Sequence, residues 1–270
     1  MGKKILFIFT IFLTTFTLGA CRKTNQESDT YSLAVAGQEI IVGLDDTFVP
    51  MGFRQKDGTL SGFDIDLAKA VFDRLGLTVR FQAIDWSMKE TELKNQTIDL
   101  IWNGYSKTPQ REEQVLFSIP YLANHQVILT SKENQFTESS QLAGKILGVQ
   151  SASSGYEALE SQPEILKDVV AEVVTYPTFT EGYLDVQAGR IDGLLIDELY
   201  ANYYLAHDVN GAKYMTFNTD FPSETFAIGM RKSDTLLKEK IDNTLQELVT
   251  DGTYGKLTEK WFQENLTLPE

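Results

Sequence analysis

The stretch TIDLIWNGYSKTPQREEQVLF, residues 97–117, decides the architecture, because it carries a strand, a turn and a helix start in that order. The β-rich run TIDLIW (97–102) gives way to the small polar residues Asn103, Gly104 and Ser106. Thr108 suits an N-cap and Pro109 suits the first helical position. Arg111 therefore falls in the first helical turn, beside the positive end of the helix dipole, where a cation costs a few tenths of a kcal/mol. Its helical neighbours at i+3 and i+4 are Gln114 and Val115, while Glu112 and Glu113 point elsewhere. The helix supplies no partner for this guanidinium, which must meet either a ligand's anion or an acid from elsewhere in the fold.

The same strand-then-helix rhythm runs outward in both directions. Short β-rich runs stand at 39–45, 77–84, 97–102, 125–131, 145–150, 171–176, 192–197 and 224–231. Helical stretches are expected near 88–95, 108–116, 154–161, 179–189, 198–206, 233–250 and 253–263. The clearest is GFDIDLAKAVFDRLG (62–76), in which Ile65, Ala68, Val71, Phe72 and Leu75 follow the 3.6-residue period, Asp64 can cap the start and Gly76 can close the end. Strands alternating with helices predict parallel sheets in α/β layers.

Composition narrows the function classes. The chain has 270 residues, 42% hydrophobic and 23% charged, enough for one large or two medium domains with a sizeable core. A net charge of −14 argues against broad attraction to nucleic acid or anionic lipid. Lys3 and Lys4 precede the apolar run ILFIFTIFLTTFTLGA, which ends at the only cysteine, Cys21. That is the layout of a targeting segment. LGAC resembles the lipobox of bacterial lipoproteins, which implies cleavage before Cys21, lipid on its sulfur and a protein held on the outer face of the cell membrane. Residues 1–20 are then a signal peptide and 21–38 a flexible tether. The alternative is an ordinary cleaved signal or a single anchoring helix with Cys21 incidental, against which stands the absence of any disulfide partner for this lone cysteine.

In open α/β sheets ligands collect beyond the carboxyl ends of the strands. The residues found there are Asp45 and Phe48, Trp86, Asn103, Gly104 and Ser106, Gln150 with Ser153 and Ser154, and Asp197. Together with Arg111 they suit a zwitterion. Arg111 and free N–H groups near Gly104 and Ser106 would take an anion, Asp197 or Asp45 a cation, and the aromatics a side chain. Singly, the simpler alternatives stand. Asp197 immediately precedes a helix and serves as an N-cap, and Phe48 and Trp86 serve as core or rim residues. His125 and His207 lie far apart with no metal-ligand spacing near either, and no phosphate-cradling glycine loop occurs, so no metal or cofactor is expected.

From about residue 39 onward the chain resembles the polar amino-acid-binding proteins of bacterial ABC transporters. The carrying segments are VGLDDTFVPMGFRQKDGTLSGFDIDLAKAV, TIDLIWNGYSKTPQREEQVLFSIPY, GLLID and DGTYGKLTEKWF, in this order and spacing. The resemblance implies a two-lobed venus-flytrap fold of the type II periplasmic-binding class, with residues 39–123 and 225–270 in one lobe, 127–221 in the other, and two hinge strands between. It implies that Arg111, helped by backbone groups at Gly104 and Ser106 and by Ser153 or Ser154, clamps the α-carboxylate. Asp197 would receive the α-ammonium, Phe48 and Trp86 sandwich the side chain, and Asp45, Gln150 and Asn103 bear on selectivity. Gln150 stands where glutamine-type members carry lysine, which leaves the pocket more acidic and favours polar or cationic side chains over acidic ones. The expected partners are a permease and an ATPase subunit, with the protein itself a monomer. The alternatives are an enzyme on the same scaffold, of the cyclohexadienyl dehydratase kind, and a ligand-sensing ectodomain.

Overall fold

The computed structural model describes residues 28–269; the expected signal peptide, Cys21 and the first part of the expected tether lie outside them. Two five-stranded sheets organise the chain. In the first, Ile40–Leu44 lies between Val79–Ala83 and Leu100–Ile101, parallel to both, and Gly229–Met230 then joins antiparallel, followed by Leu116–Phe117. In the second, Ile146–Gln150 lies between Glu172–Tyr176 and Gly193–Asp197, again parallel, and Gln126–Ser131 and Tyr214–Asn218 extend it antiparallel. The three parallel strands that form one side of each sheet match the α/β expectation. The helices Phe63–Leu75 and Lys89–Lys94 connect the strands of the first trio, and Ser154–Ser161 and Phe179–Gln187 those of the second.

The chain passes between the sheets twice, through Leu122–Asn124 and Glu224–Phe226, and these two crossings pair antiparallel. The expected run 224–231 is thereby divided. Its first half joins the crossing pair and its second half, Gly229–Met230, the first sheet. The strands at 47–48, 52–54, 60–61, 116–117 and 214–218 were not apparent in the pattern, since most are two or three residues long and carry no measurable period.

The helix Phe63–Leu75 buries Phe63, Ile65, Leu67, Ala68, Val71 and Phe72 against the first sheet, each large side chain contributing about 1.5–3 kcal/mol. Gly76 closes it in the left-handed region as expected, but Asp64 does not cap it. The N-cap is Gly62, and the Asp64 carboxylate turns inward to accept from Gly104 N–H at 2.7 Å and Tyr121 O–H at 3.0 Å. The helix expected over 108–116 is a single turn, Pro109–Glu112, capped by the Thr108 hydroxyl, because the chain must flatten into Leu116–Phe117.

The expected flexible tether also needs correction over its described part. Residues Thr30–Val35 form a helix seated by an exchange of caps. Asp29 accepts from Tyr31 N–H in its own helix and from Leu236 and Leu237 N–H at the start of the helix Thr235–Thr250. Asp234, which precedes that second helix, accepts from Thr30 N–H at 2.9 Å. Each acid thus satisfies donors of the other helix that would otherwise be left open. Among the described residues no helix is long and apolar enough to cross a membrane.

Candidate functional site

The ends of the parallel strands from both sheets face one cavity. It is lined by Asp45, Phe48, Trp86, Asn103, Gly104 and Arg111 from one side and Gln150, Ser153, Ser154, Phe179 and Asp197 from the other. Ten of the eleven residues expected from the sequence line it. The eleventh, Ser106, stands just behind, its hydroxyl donating to Ser154 Oγ at 3.0 Å and its carbonyl accepting from Arg111 Nη1 at 3.1 Å. The walls are close together, leaving about 10 Å³ for the centre of a water molecule, which is room for one water.

Arg111 is almost fully buried, 2% exposed. Its guanidinium lies over the Tyr105 ring at 4.7 Å from the centroid, a cation–π contact. Nε donates to Glu157 Oε1 at 2.7 Å and Nη2 to the Ala152 carbonyl at 3.2 Å. So the acid absent from its own helix arrives from across the cleft, on the helix Ser154–Ser161. Three of the five N–H donors are engaged, and at most one N–H on each terminal nitrogen is left for a guest.

The expected backbone donors divide. Gly104 N–H is committed to Asp64, which corrects the expectation that it stands free. Gly104 itself sits at φ +54°, where a Cβ would come within 2.5 Å of the Phe48 ring, so glycine is needed both for the turn and for the aromatic wall. Ser106 lies in an antiparallel bridge with Phe226 whose bonds come from its neighbours, Lys107 N–H to Thr225 O and Ala227 N–H to Tyr105 O. That register directs Ser106 N–H away from the strand pair. Ser153 is the N-cap of the helix Ser154–Ser161, accepting from Tyr156 N–H, and Ser154 N–H at the first helical position has no intrahelical acceptor.

Two buried carboxylates complete the wall. Asp197 precedes the helix Glu198–His207 without capping it. Its side chain instead accepts from Asn124 Nδ2 and, at 2.9 Å, from Gln126 Nε2. Burial pushes this carboxyl well above the usual carboxylate range, and the charge of Glu224 adds to the effect. Burial raises Asp45 as well, against the lowering effect of bonds from Thr47 and Gln150. Gln150 Nε2 reaches Asp45 Oδ2 at 3.0 Å across the cleft, and Asn103 Oδ1 accepts from Asp45 N–H at 3.0 Å. Phe48 meets Phe179 at 5.7 Å and Tyr200 at 5.5 Å between centroids, while Trp86 packs edge-on against Tyr105. Phe179 was missed in the sequence, although it follows the strand Glu172–Tyr176 and so obeys the same strand-end rule.

A two-lobed α/β scaffold with polar residues of both lobes converging on one cleft defines a solute-capturing protein. The chain belongs to the bacterial extracellular solute-binding proteins, family 3, whose model matches residues 40–264. It is 28% identical to the arginine-binding extracellular protein ArtP of Bacillus subtilis over 96% of this chain and 98% of that protein. It is 48% identical to an ABC uptake transporter substrate-binding protein from Streptococcus pneumoniae, solved with bound histidine, with a TM-score of 0.86 over 89% of this chain and 98% of the other. A polar amino-acid ABC uptake transporter substrate-binding protein from Streptococcus thermophilus is also 48% identical, covering 90% and 93%, but superposes with a TM-score of only 0.59. The chain is thus an extracytoplasmic protein that captures an amino acid for an ABC transporter.

Proposed function

We propose that the ligand is a free amino acid with a cationic or strongly polar side chain, histidine and arginine foremost, bound by closure of the two lobes and handed to a permease. The α-carboxylate meets the remaining Arg111 donors with Ser106 N–H and Ser154 N–H. The α-ammonium meets Asp197, the side chain lies among Phe48, Trp86 and Phe179, and its end reaches Asp45 and Gln150. The observation that carries this is the presence in one cavity of a guanidinium and two separate buried carboxylates, both raised by burial. An isolated buried charge is costly, and a dication with one carboxylate relieves both acids at once.

The lobes are taken as residues 39–123 with 225–270, and 127–221, turning about the paired crossings at 122–124 and 224–226. Two relatives of equal identity superpose very differently on this chain, which supports a scaffold whose halves change their mutual arrangement. Closure is a population shift that a ligand bridging both halves favours. The protein acts as a monomer, and Cys21 at the end of the apolar run supports a lipid anchor on the outer face of the cell membrane.

A thermal-shift screen of the twenty amino acids plus cystine tests the ligand class, since a ligand held only by the native state raises the melting temperature. Histidine and arginine are expected to give the largest shifts, glutamate and aspartate none. Arg111→Ala should abolish every shift, and Asp45→Asn should shrink the margin of cationic over neutral ligands. A larger shift with glutamate than with histidine or arginine defeats the proposal.

A further inference from the structure

Glu157 does not line the cavity, yet it bonds Arg111 directly. We infer that Glu157 is a positioning residue, a closing clasp supplied by the second lobe that orients the ligand-binding guanidinium and sets how long the cleft stays shut. This rests on the function proposed above and extends it to a side chain outside the cavity lining.

Glu157 lies in the first turn of the helix Ser154–Ser161 and is 20% exposed. From there its two oxygens divide between two first-lobe groups: Oε1 accepts from Arg111 Nε at 2.7 Å and Oε2 from the Thr108 hydroxyl at 3.1 Å. Thr108 is also the N-cap of the turn that carries Arg111. One carboxylate therefore holds both the guanidinium and the base of its helical turn. A second contact works from the other direction. Ala152, in the left-handed region at φ +55°, presents its carbonyl to Arg111 Nη2 at 3.2 Å and to Lys89 Nζ at 2.9 Å. Lys89 is 1% exposed, wedged against the Trp86 ring at 4.9 Å.

Of the three hydrogen bonds that fix the guanidinium, only the one to the Ser106 carbonyl comes from its own lobe. The other two come from residues 152 and 157 across the cleft, so they exist only when the lobes meet. With Nε taken by Glu157, a ligand carboxylate is confined to the terminal nitrogens, which fixes its angle of approach. In the open protein Glu157 is remote and plays no part in encounter. Its contribution falls on the lifetime of the closed complex, which is where affinity differences within one binding site mostly reside.

The test uses the full chain with Glu157→Ala and Glu157→Gln, the latter keeping length and one oxygen acceptor while removing the charge. Histidine and arginine are the probes, with stopped-flow fluorescence for rates and calorimetry for Kd. Glu157→Ala is expected to speed dissociation roughly 10- to 100-fold with an association rate within about twofold of the parent, and Glu157→Gln to fall between. The melting temperature without ligand should stay within about 1 °C. A loss carried by association, an unchanged dissociation rate, or an equal fall in the unliganded melting temperature overturns the inference. So does tighter binding, which would make Glu157 a competitor for Arg111 instead. Spin labels at exposed positions 69 and 184, one per lobe in a Cys21→Ser background, give a readout independent of any ligand. Glu157→Ala should deplete the short-distance population in unliganded protein, and an unaltered distribution counts against the clasp. If the parent binds neither probe while the labels still respond, the ligand assignment fails and the clasp survives.

Discussion

At the scale of single residues, the site is a set of charges whose energies depend on burial, and Asp64 shows the consequence most plainly. It sits behind the cavity with no exposed surface to speak of, bonded to Gly104 N–H and Tyr121 O–H. Burial pushes its carboxyl up to about 7 from an ordinary 3.8, with those two bonds only partly opposing the effect. A folded-state value above the unfolded one means that the contribution of this group to stability is complete below about pH 4 and is lost as pH rises through about 7. Asp64→Asn removes that loss. Between pH 5 and pH 8 the melting temperature of the variant should therefore gain on the parent by roughly 3 °C or more, whatever constant offset the amide introduces. Scanning fluorimetry across the pH range checks this, and a gap that stays flat or narrows contradicts the assigned protonation. The sequence disclosed residues whose role follows from place in the chain. Asp45, Asn103, Gln150 and Asp197 each end a parallel strand, and topology alone sends strand ends to the cleft. It concealed Asp64 and Glu157, which look like ordinary acids of a first helical turn, since only packing shows that one faces inward and the other reaches another lobe.

At the scale of secondary elements, the described N-terminal helix is the clearest departure from the pattern. Six residues are too few for a helix to persist in water unaided, and the run Thr30–Val35 has no amphipathic period to announce it. It forms because Asp29 and Asp234 trade places as caps, each holding donors of the other helix. Arg231 adds bonds to Thr30 Oγ1 and Asp99 Oδ1, and an ion pair to Asp234. Removing Asp29 uncovers the starts of two helices at once. Asp29→Ala should cost about 1–2 kcal/mol, seen as a fall in melting temperature of roughly 2–6 °C, while ligand affinity stays unchanged because neither the helix nor the residues that hold it line the cavity. Calorimetry on the full chain reads both quantities. A drop below about 1 °C would mean that the helix is not anchored by its caps. The long helix Phe63–Leu75 was legible by contrast, since seven of its thirteen residues are buried and enough of them repeat at the helical period to mark one face.

At the scale of the whole molecule, the two lobes touch well outside the cavity. Phe53 of the first lobe lies between Tyr203 of the second, at 6.1 Å, and Trp261 of its own, at 6.0 Å edge to face. Tyr203 in turn stacks on His207 at 4.0 Å. None of these side chains lines the cavity, and under the closure proposed above the Phe53–Tyr203 contact would form as the lobes come together, biasing the open–closed balance without meeting the ligand. No sequence pattern marks such a pair, because each partner looks like a lone aromatic and their proximity is a property of the tertiary arrangement alone. An aromatic pair contributes about 0.5–1.5 kcal/mol beyond the area it buries. Tyr203→Ala should therefore weaken Kd for histidine or arginine by roughly 2- to 10-fold, through faster dissociation. The preference among ligands should not change, since every ligand closes the same rim and discrimination resides in the cavity. Dissociation rates measured for three ligands of different size decide it. Equal acceleration for all three places Tyr203 on the closure equilibrium, whereas acceleration confined to one would mean that the rim contacts the ligand itself.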